Sequence, residues 1–167
     1  MLAKLKQRLD NRLNDDMWRS REIISDNLID FASNDYLGLA QDIKLADINF
    51  DKANSHTYGA GSSSFISGYF KQHHSCQQKF AAAFGFEGGL LFGNGFMANT
   101  GVLGALADKE TYIFQDKLNH ASLIDGALAS NGNLVRFKHL DIASLERQII
   151  ARNSEFGIIA TDAVFSM

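Results

Sequence analysis

An α/β fold with a mainly parallel sheet and flanking helices follows from three features of this sequence. Short apolar runs alternate with helical patterns from Gly89 onward, and such alternation signals βαβ units. Gly93 and Gly95 sit between one such run and a helical pattern, as a strand-to-helix turn requires. With 167 residues, 46% of them hydrophobic, the chain can bury one ordinary core.

The elements follow in order. The opening stretch MLAKLKQRLDNRLNDDMWRSRE spaces Leu2, Leu5, Leu9, Leu13 and Met17 by three and four, which draws one stripe of an amphipathic helix. Charge interleaved with this stripe does not suit a signal peptide, and Asp10, Asp15 and Asp16 do not suit an acid-poor transit peptide, so a cytoplasmic protein is expected. A short strand is expected over Leu28–Ala32, then a polar turn at Ser33–Asp35. The Gly/Ser-rich YGAGSSSFISGY (58–69) predicts a loop needing positive φ or close backbone approach. Gln72–Phe84 has a helical pattern, with His73, Cys76, Phe80 and Phe84 on one side. There follow a strand at Gly89–Phe92, a helix at Met97–Ala107, a strand at Thr111–Gln115 and a helix at Ser122–Ser130. Leu134–Lys138 predicts a strand, Asp141–Arg152 a helix with Asp141 as N-cap, and Phe156–Ala160 a buried strand. The organisation expected is a helix-and-strand segment over 1–50 and an α/β domain over 51–167.

Composition narrows the partners. A net charge of −3 without a Lys/Arg run argues against nucleic acid, whose phosphates need a basic face. No apolar stretch approaches membrane-spanning length, so no membrane segment is expected. Cys76 is the one cysteine, which excludes a disulfide scaffold and suits a small helical filler. No metal site is expected. The sequence closes on TDAVFSM, just past a strand, where ligand sites of α/β folds lie. The expectation is the front part of a longer protein.

The stretch LLFGNGFMANTG (90–101) raises the chemical question. A helix N-terminus presents unpaired amides and partial positive charge, which suits a phosphate. GNGFMA fits a dinucleotide fingerprint, with Asp116 about twenty residues on at the end of the next strand. A single phosphate belonging to pyridoxal 5'-phosphate (PLP) is the competing reading, and a plain strand-to-helix turn is the bland one.

Five motifs, SNDYLGLA (33–40), GAGSSSFISGY (59–69), LLFGNGFMAN (90–99), KLNHASLIDGA (117–127) and TDAVFSM (161–167), resemble those of the α-oxoamine synthases in order and spacing. The resemblance covers the chain from about Leu9 onward. It implies the N-terminal part of a fold-type I, aspartate-aminotransferase-like PLP enzyme, with 51–167 the front of its large cofactor-binding domain. Gly95 and Phe96 match the amides that hold the cofactor phosphate, and Asn94 precedes them. His120 matches the catalytic-site imidazole that stacks on the pyridine ring, and Ser166 a hydroxyl near the ring oxygen. Arg19 aligns with a substrate-binding arginine, with Arg21 as its rival, while Asn34 and Tyr36 line the entry; Asn34 and His120 are also expected to contact substrate. Asp162 and Ala163 depart from the usual Glu and Gly.

SSSFISGY lacks an arginine that often follows in other branches, so the resemblance is closest to the biotin-synthesis branch. That branch joins L-alanine to pimeloyl-CoA or pimeloyl-acyl-carrier protein in a homodimer. Another branch using glycine and an acyl-CoA, a dinucleotide domain and a non-catalytic truncated homologue are the alternatives. The family's cofactor-binding lysine, its aspartate partner for the pyridinium and a further histidine fall beyond the equivalent of Met167, so this chain alone is expected to be inactive.

Overall fold

A computed structural model describes residues 2–25, 27–41, 59–153 and 156–166. The chain divides into two compact units, one of Met1–Arg8 with Phe92–Met167 and one of Leu9–Leu91. The division expected between residues 50 and 51 lies outside the described residues.

The first unit is the α/β body. Its elements are α3 (Gly95–Leu106), β1 (Tyr112–Asp116), α4 (Ala121–Ala129), β2 (Asn133–Phe137), α5 (Ile142–Arg152) and β3 (Gly157–Ala160). The N-terminal helix α1 (Leu2–Asn14) begins in this unit, and α2 (Lys71–Phe84) belongs to the other. The strands run parallel in the order β2-β1-β3, with Ile113 opposite Leu134 and Ile158 and Phe114 opposite Val135 and Ile159.

Alternation along β1 sends side chains to two cores. Ile113 joins Leu103, Ala107 and Ala127 from α3 and α4 on one face, whereas Phe114 joins Val135, Phe137 and Leu145 on the face covered by α5. The expected parallel sheet flanked by helices is therefore present. Asp141 caps α5 as expected, its Oδ1 accepting from the Ser144 amide at 2.7 Å. β3 is only half buried: Ile158 packs on the core while Ile159 is 54% exposed. Among the described residues it is an edge strand with one covered face, not the two that a buried strand would need.

α1 ends at Asn14, short of Met17 in the predicted stripe. Its first turns hold Lys4, which donates to Asp108 at 2.9 Å and Glu110 at 2.7 Å.

In the second unit, Leu28–Ala32 is not a strand. Its amides go into turns instead, Ala32 N–H to Asp30 Oδ1 (2.8 Å) and Leu28 N–H to Ser25 O (3.1 Å). The polar turn at Ser33–Asp35 is present, with Asp35 N–H bonded to Ser33 Oγ and its carboxylate accepting from the Leu39 and Ala40 amides. Residues 59–69 form the expected loop. Gly61 has φ +62°, and a Cβ on Gly68 would stand 1.9 Å from Ser62 O.

Helix α2 forms, but the face predicted for it is shifted. Phe80 and Phe84 stack on each other in the open, 57% and 69% exposed, while Gln77 and Ala81 are buried. The buried line follows Gln77 because its amide binds the Tyr69 hydroxyl at 2.8 Å. Residues 89–92 form no strand and are exposed. With the Gln77 amide nitrogen donating to Tyr69 Oη, its oxygen accepts from the Leu91 amide (3.1 Å), so that N–H bonds a helix side chain and not a sheet ladder.

Candidate active site

The carboxyl ends of the three strands and the start of α3 carry the candidate residues of the first unit. Asn94 caps α3, its Oδ1 accepting from the Met97 amide at 2.9 Å. That bond consumes one of the helix's orphan donors and leaves the amides of Gly95 and Phe96 without a partner among the described residues. The helix dipole adds partial positive charge at the same point. Gly95 and Phe96 are both exposed, and a Cβ built on Gly95 meets nothing within 4 Å. The donor set suits a phosphate.

His120 caps α4. Its Nδ1 accepts from the Ser122 amide at 3.1 Å and lies 2.8 Å from Ser122 Oγ. That hydroxyl in turn accepts from Asn99 Nδ2 at 2.9 Å. Because Nδ1 already accepts the Ser122 amide, it acts as the ring's acceptor toward the Ser122 hydroxyl as well, which leaves Nε2 as the N–H of the neutral ring. The imidazole is exposed yet held on one edge, which a solvated loop histidine would not be.

Its backbone is held too. His120 N–H donates to Asp162 Oδ2 (2.7 Å), Asn119 Nδ2 to Ala160 O (2.7 Å), and Asp162 N–H to Asn119 Oδ1 (3.2 Å). Asp162, the departure from the family pattern, here clamps the histidine loop to the segment after β3.

The two helix starts lie at one end of a parallel pair. Asn99 meets Ser122, and further along a Cβ on Gly126 would come 3.0 Å from Thr100 Cα and 3.1 Å from Leu103. Gly95 precedes Asn99 by four residues, about 6 Å of helix. The free amides and His120 thus share one end of the α3–α4 layer. Ser166, exposed, follows Phe165 in the segment whose Asp162 binds His120.

Asp116 overturns the dinucleotide alternative. Its side chain is 1% exposed, and its oxygens accept from the Leu118 amide (2.8 Å), the Leu140 amide (2.8 Å) and His139 Nδ1 (2.9 Å). Burial pushes its carboxyl upward, but the two amides and His139 outweigh that and hold it below the ordinary carboxylate range. A carboxylate so enclosed has nothing left for a ribose hydroxyl, and the strand that the fingerprint needs before Gly93 is absent among the described residues.

Arg19, Asn34 and Tyr36 belong to the second unit. Arg21 lies over the Tyr69 ring at 4.7 Å, and its Nη1 donates to the Gln77 amide oxygen at 3.0 Å. Arg19 is exposed with no partner among the described residues, so of the two it has the free guanidinium. Asn34 donates its amide to Gly61 O (2.6 Å) and accepts the Tyr36 hydroxyl at 3.3 Å.

Residues 26–167 match the aminotransferase class I and II family. The chain belongs to that family. It is 39% identical over its whole length to 8-amino-7-oxononanoate synthase of Nitrosomonas europaea, covering 46% of that protein. To the Marinomonas sp. enzyme of the same name it is 47% identical over 87% of this chain and 36% of the relative. The chain thus spans less than half the length of these curated relatives.

Among solved structures, 8-amino-7-oxononanoate synthase of Francisella tularensis aligns with TM-score 0.54 and 32% identity, over 86% of this chain and 39% of that one. A lysine-to-alanine variant of serine palmitoyltransferase from S. paucimobilis, solved with a bound PLP–myriocin aldimine, aligns with TM-score 0.65 and 25% identity over 99% of this chain and 44% of that one. Both place the α/β body in the aminotransferase fold.

The residues that sequence reasoning passed over are Asn99, Asn119, Ser122, His139 and the clamping role of Asp162. The available signal was a polar cluster after each strand, DKLNHAS after β1 and KHLD after β2.

Proposed function

We propose that this chain supplies the phosphate-holding and ring-stacking half of a PLP site. The enzyme it serves condenses L-alanine with a pimeloyl thioester, carried on coenzyme A or acyl carrier protein. It releases carbon dioxide and the free thiol and forms 8-amino-7-oxononanoate for biotin synthesis. The observation that carries this reading is the pair of amides at Gly95 and Phe96, unpartnered among the described residues, at the same end of the α3–α4 layer as the held His120. Identities of 39% and 47% to two synthases of that name support this branch over the palmitoyltransferase one, at 25%.

PLP supplies an electron sink for the carbanion formed at the amino-acid α-carbon. The chain's own residues bind and orient. The Gly95 and Phe96 amides hold the phosphate, and Asn94 Nδ2, which carries no bond within the described residues, adds a third donor. His120 stacks one face of the ring, kept in position by Ser122 and the Asp162 carboxylate. The Ser166 hydroxyl serves the ring oxygen. Arg19, with its free guanidinium, and Asn34 bind the substrate side. The working enzyme is a cytoplasmic homodimer in this proposal. None of the chain's lysines lies in the family's cofactor-lysine motif, so the 167-residue chain does not turn over by itself.

Thermal unfolding of the chain with PLP or NAD⁺ tests the cofactor. PLP at about 100 times its dissociation constant stabilises by about 2.7 kcal/mol, raising Tm by roughly 5–10 °C. Stabilisation by NAD⁺ and not by PLP refutes the proposal. Turnover of L-alanine and pimeloyl-CoA above background by the pure chain with PLP refutes its dependence on missing residues.

A further inference from the structure

Beyond the groups that would touch the cofactor, one hydrogen-bonded pair, the buried Asp116 and the half-buried His139, links all three loops at the carboxyl edge of the sheet. Asp116 closes β1 with its carboxylate turned inward, 1% exposed. One oxygen takes the Leu118 amide of its own β1–α4 loop, which carries His120. The other takes the Leu140 amide of the β2–α5 loop. His139, on that second loop, donates to the first oxygen from Nδ1 at 2.9 Å.

The imidazole then meets Phe165 edge-on, with ring centroids 4.7 Å apart and planes at 80°. Phe165 immediately precedes Ser166 in the third loop. The backbone adds a separate sign of constraint. Leu140 has φ +51°, a left-handed conformation that costs a branched residue about 1–2 kcal/mol. It is held there by the Asp116 carboxylate while its own side chain is 70% exposed and gains little from packing. A loop that only turned the chain would place glycine or asparagine at this position.

We propose that Asp116 and His139 are positioning residues for the cofactor ring site, one fixing the histidine loop and the other seating Phe165 so that Ser166 is presented. This rests on the PLP reading for the identity of the ligand, not for the loop architecture. A carboxylate shared between two loops ties the loop of His120 to the loop of His139, and the ring contact extends the tie to Ser166. The charged residues adjoining the pair along the chain are Lys117 and Lys138, both exposed, and Asp141, whose carboxylate is engaged with the Ser144 amide.

Two replacements separate the halves of the device. His139→Asn retains a nitrogen donor for Asp116 but removes the ring that meets Phe165. His139→Phe retains a ring and removes the donor. In the ligand-free chain, amide hydrogen exchange reads the bonds of Leu118, Leu140, His120 and Asp162, while ¹⁵N order parameters read the mobility of residues 163–166. The expected result for His139→Asn is unchanged exchange at Leu118 and Leu140 with lowered order parameters over 163–166. For His139→Phe, exchange at Leu140 rises at least tenfold while 163–166 stay ordered.

Titration with PLP and, separately, with inorganic phosphate follows. His139→Asn weakens PLP about tenfold and leaves inorganic phosphate unaltered, because its amide seat is on α3. Equal order parameters in His139→Asn and the parent chain overturn the positioning role, as does equal loss of PLP and inorganic phosphate binding. If the parent chain binds neither probe, the cofactor reading fails by itself, and the exchange and relaxation patterns still decide whether the pair positions the loops.

Discussion

Replacing Gly95 with proline removes one donor from the proposed phosphate seat while leaving the helix intact. Gly95 is the first residue of α3, the helical position where proline is most at home, since its missing N–H has no intrahelical acceptor anyway. The preceding Asn94 has φ −163° and ψ 169°, the extended conformation that a following proline demands. The ring enters open space, because a Cβ at this site meets no atom within 4 Å. Stability is therefore unchanged or raised by up to about 1 kcal/mol through the stiffer unfolded chain. What is lost is one charge-assisted hydrogen bond to a phosphate, worth about 1.5–3 kcal/mol, or roughly 10- to 150-fold in dissociation constant. Gly95→Ala keeps the amide and is the control, with affinity equal to the parent. The assay is a titration of all three chains with PLP and with inorganic phosphate, alongside urea unfolding. Gly95→Pro binding both probes within about twofold of the parent, at equal stability, would refute the amide seat.

Other perturbations test the framework around it. Ser122→Ala removes the hydroxyl that joins Asn99 to His120 Nδ1; about 1 kcal/mol of stability should be lost, and the His120 ring nitrogens should shift in ¹⁵N spectra while Gly95 does not. Gly68→Ala drives a Cβ to 1.9 Å from Ser62 O, an overlap at the upper end of the 1–3 kcal/mol range for overpacking, about 3 kcal/mol by urea unfolding. Leu140→Gly relieves the left-handed strain at φ +51° and should be neutral or stabilising by up to about 1 kcal/mol, whereas loss of stability would show that the side chain packs.

The pH dependence has a fixed sign. Lys4 and then Thr111 hold the Asp108 carboxyl down to about 2 from its ordinary 3.8, and Asp116 is also depressed. Their stabilising contribution is complete above the ordinary value and is lost as pH falls through the folded one. Urea midpoints should therefore drop between pH 3.8 and about 2 for the Asp108 part, and Asp108→Asn should flatten that portion of the curve.

What could be read in the sequence was whatever depends on local periodicity with a partner nearby in the chain. The 111–160 region alternates strand and helix at short range, and each of its elements formed within a residue or so of expectation, including the Asp141 cap. Leu28–Ala32 and Gly89–Phe92 are also apolar, four residues of five and three of four, yet neither pairs with a strand among the described residues. A strand is defined by its neighbour, and the amides of these segments found nearer acceptors, Asp30 Oδ1 in one and the Gln77 amide in the other. The shifted face of α2 has the same origin. A buried Tyr69–Gln77 hydrogen bond outranked two phenylalanines, which no count of apolar spacing could foresee.

The site was legible to a different depth. The amides of Gly95 and Phe96 and the ring of His120 could be located from motifs because each is displayed by the local geometry of a helix start. Asp116 shows where that kind of reasoning stops. At the end of a strand, at the correct distance from a glycine pair, it has the sequence position of a ribose ligand. The fold turns it inward, where Leu118, Leu140 and His139 use up its oxygens. What separates a ligand from a structural hub is therefore the number of donors that converge on a group from other loops, and those arrive from residues up to 24 positions away. Asp162 makes the complementary point. The expected pattern would put glutamate there, and the shorter aspartate still reaches the His120 amide at 2.7 Å, across 42 residues. At this carboxyl edge the side chains that would meet a ligand are short-range features, while the carboxylates that hold them in place are long-range ones.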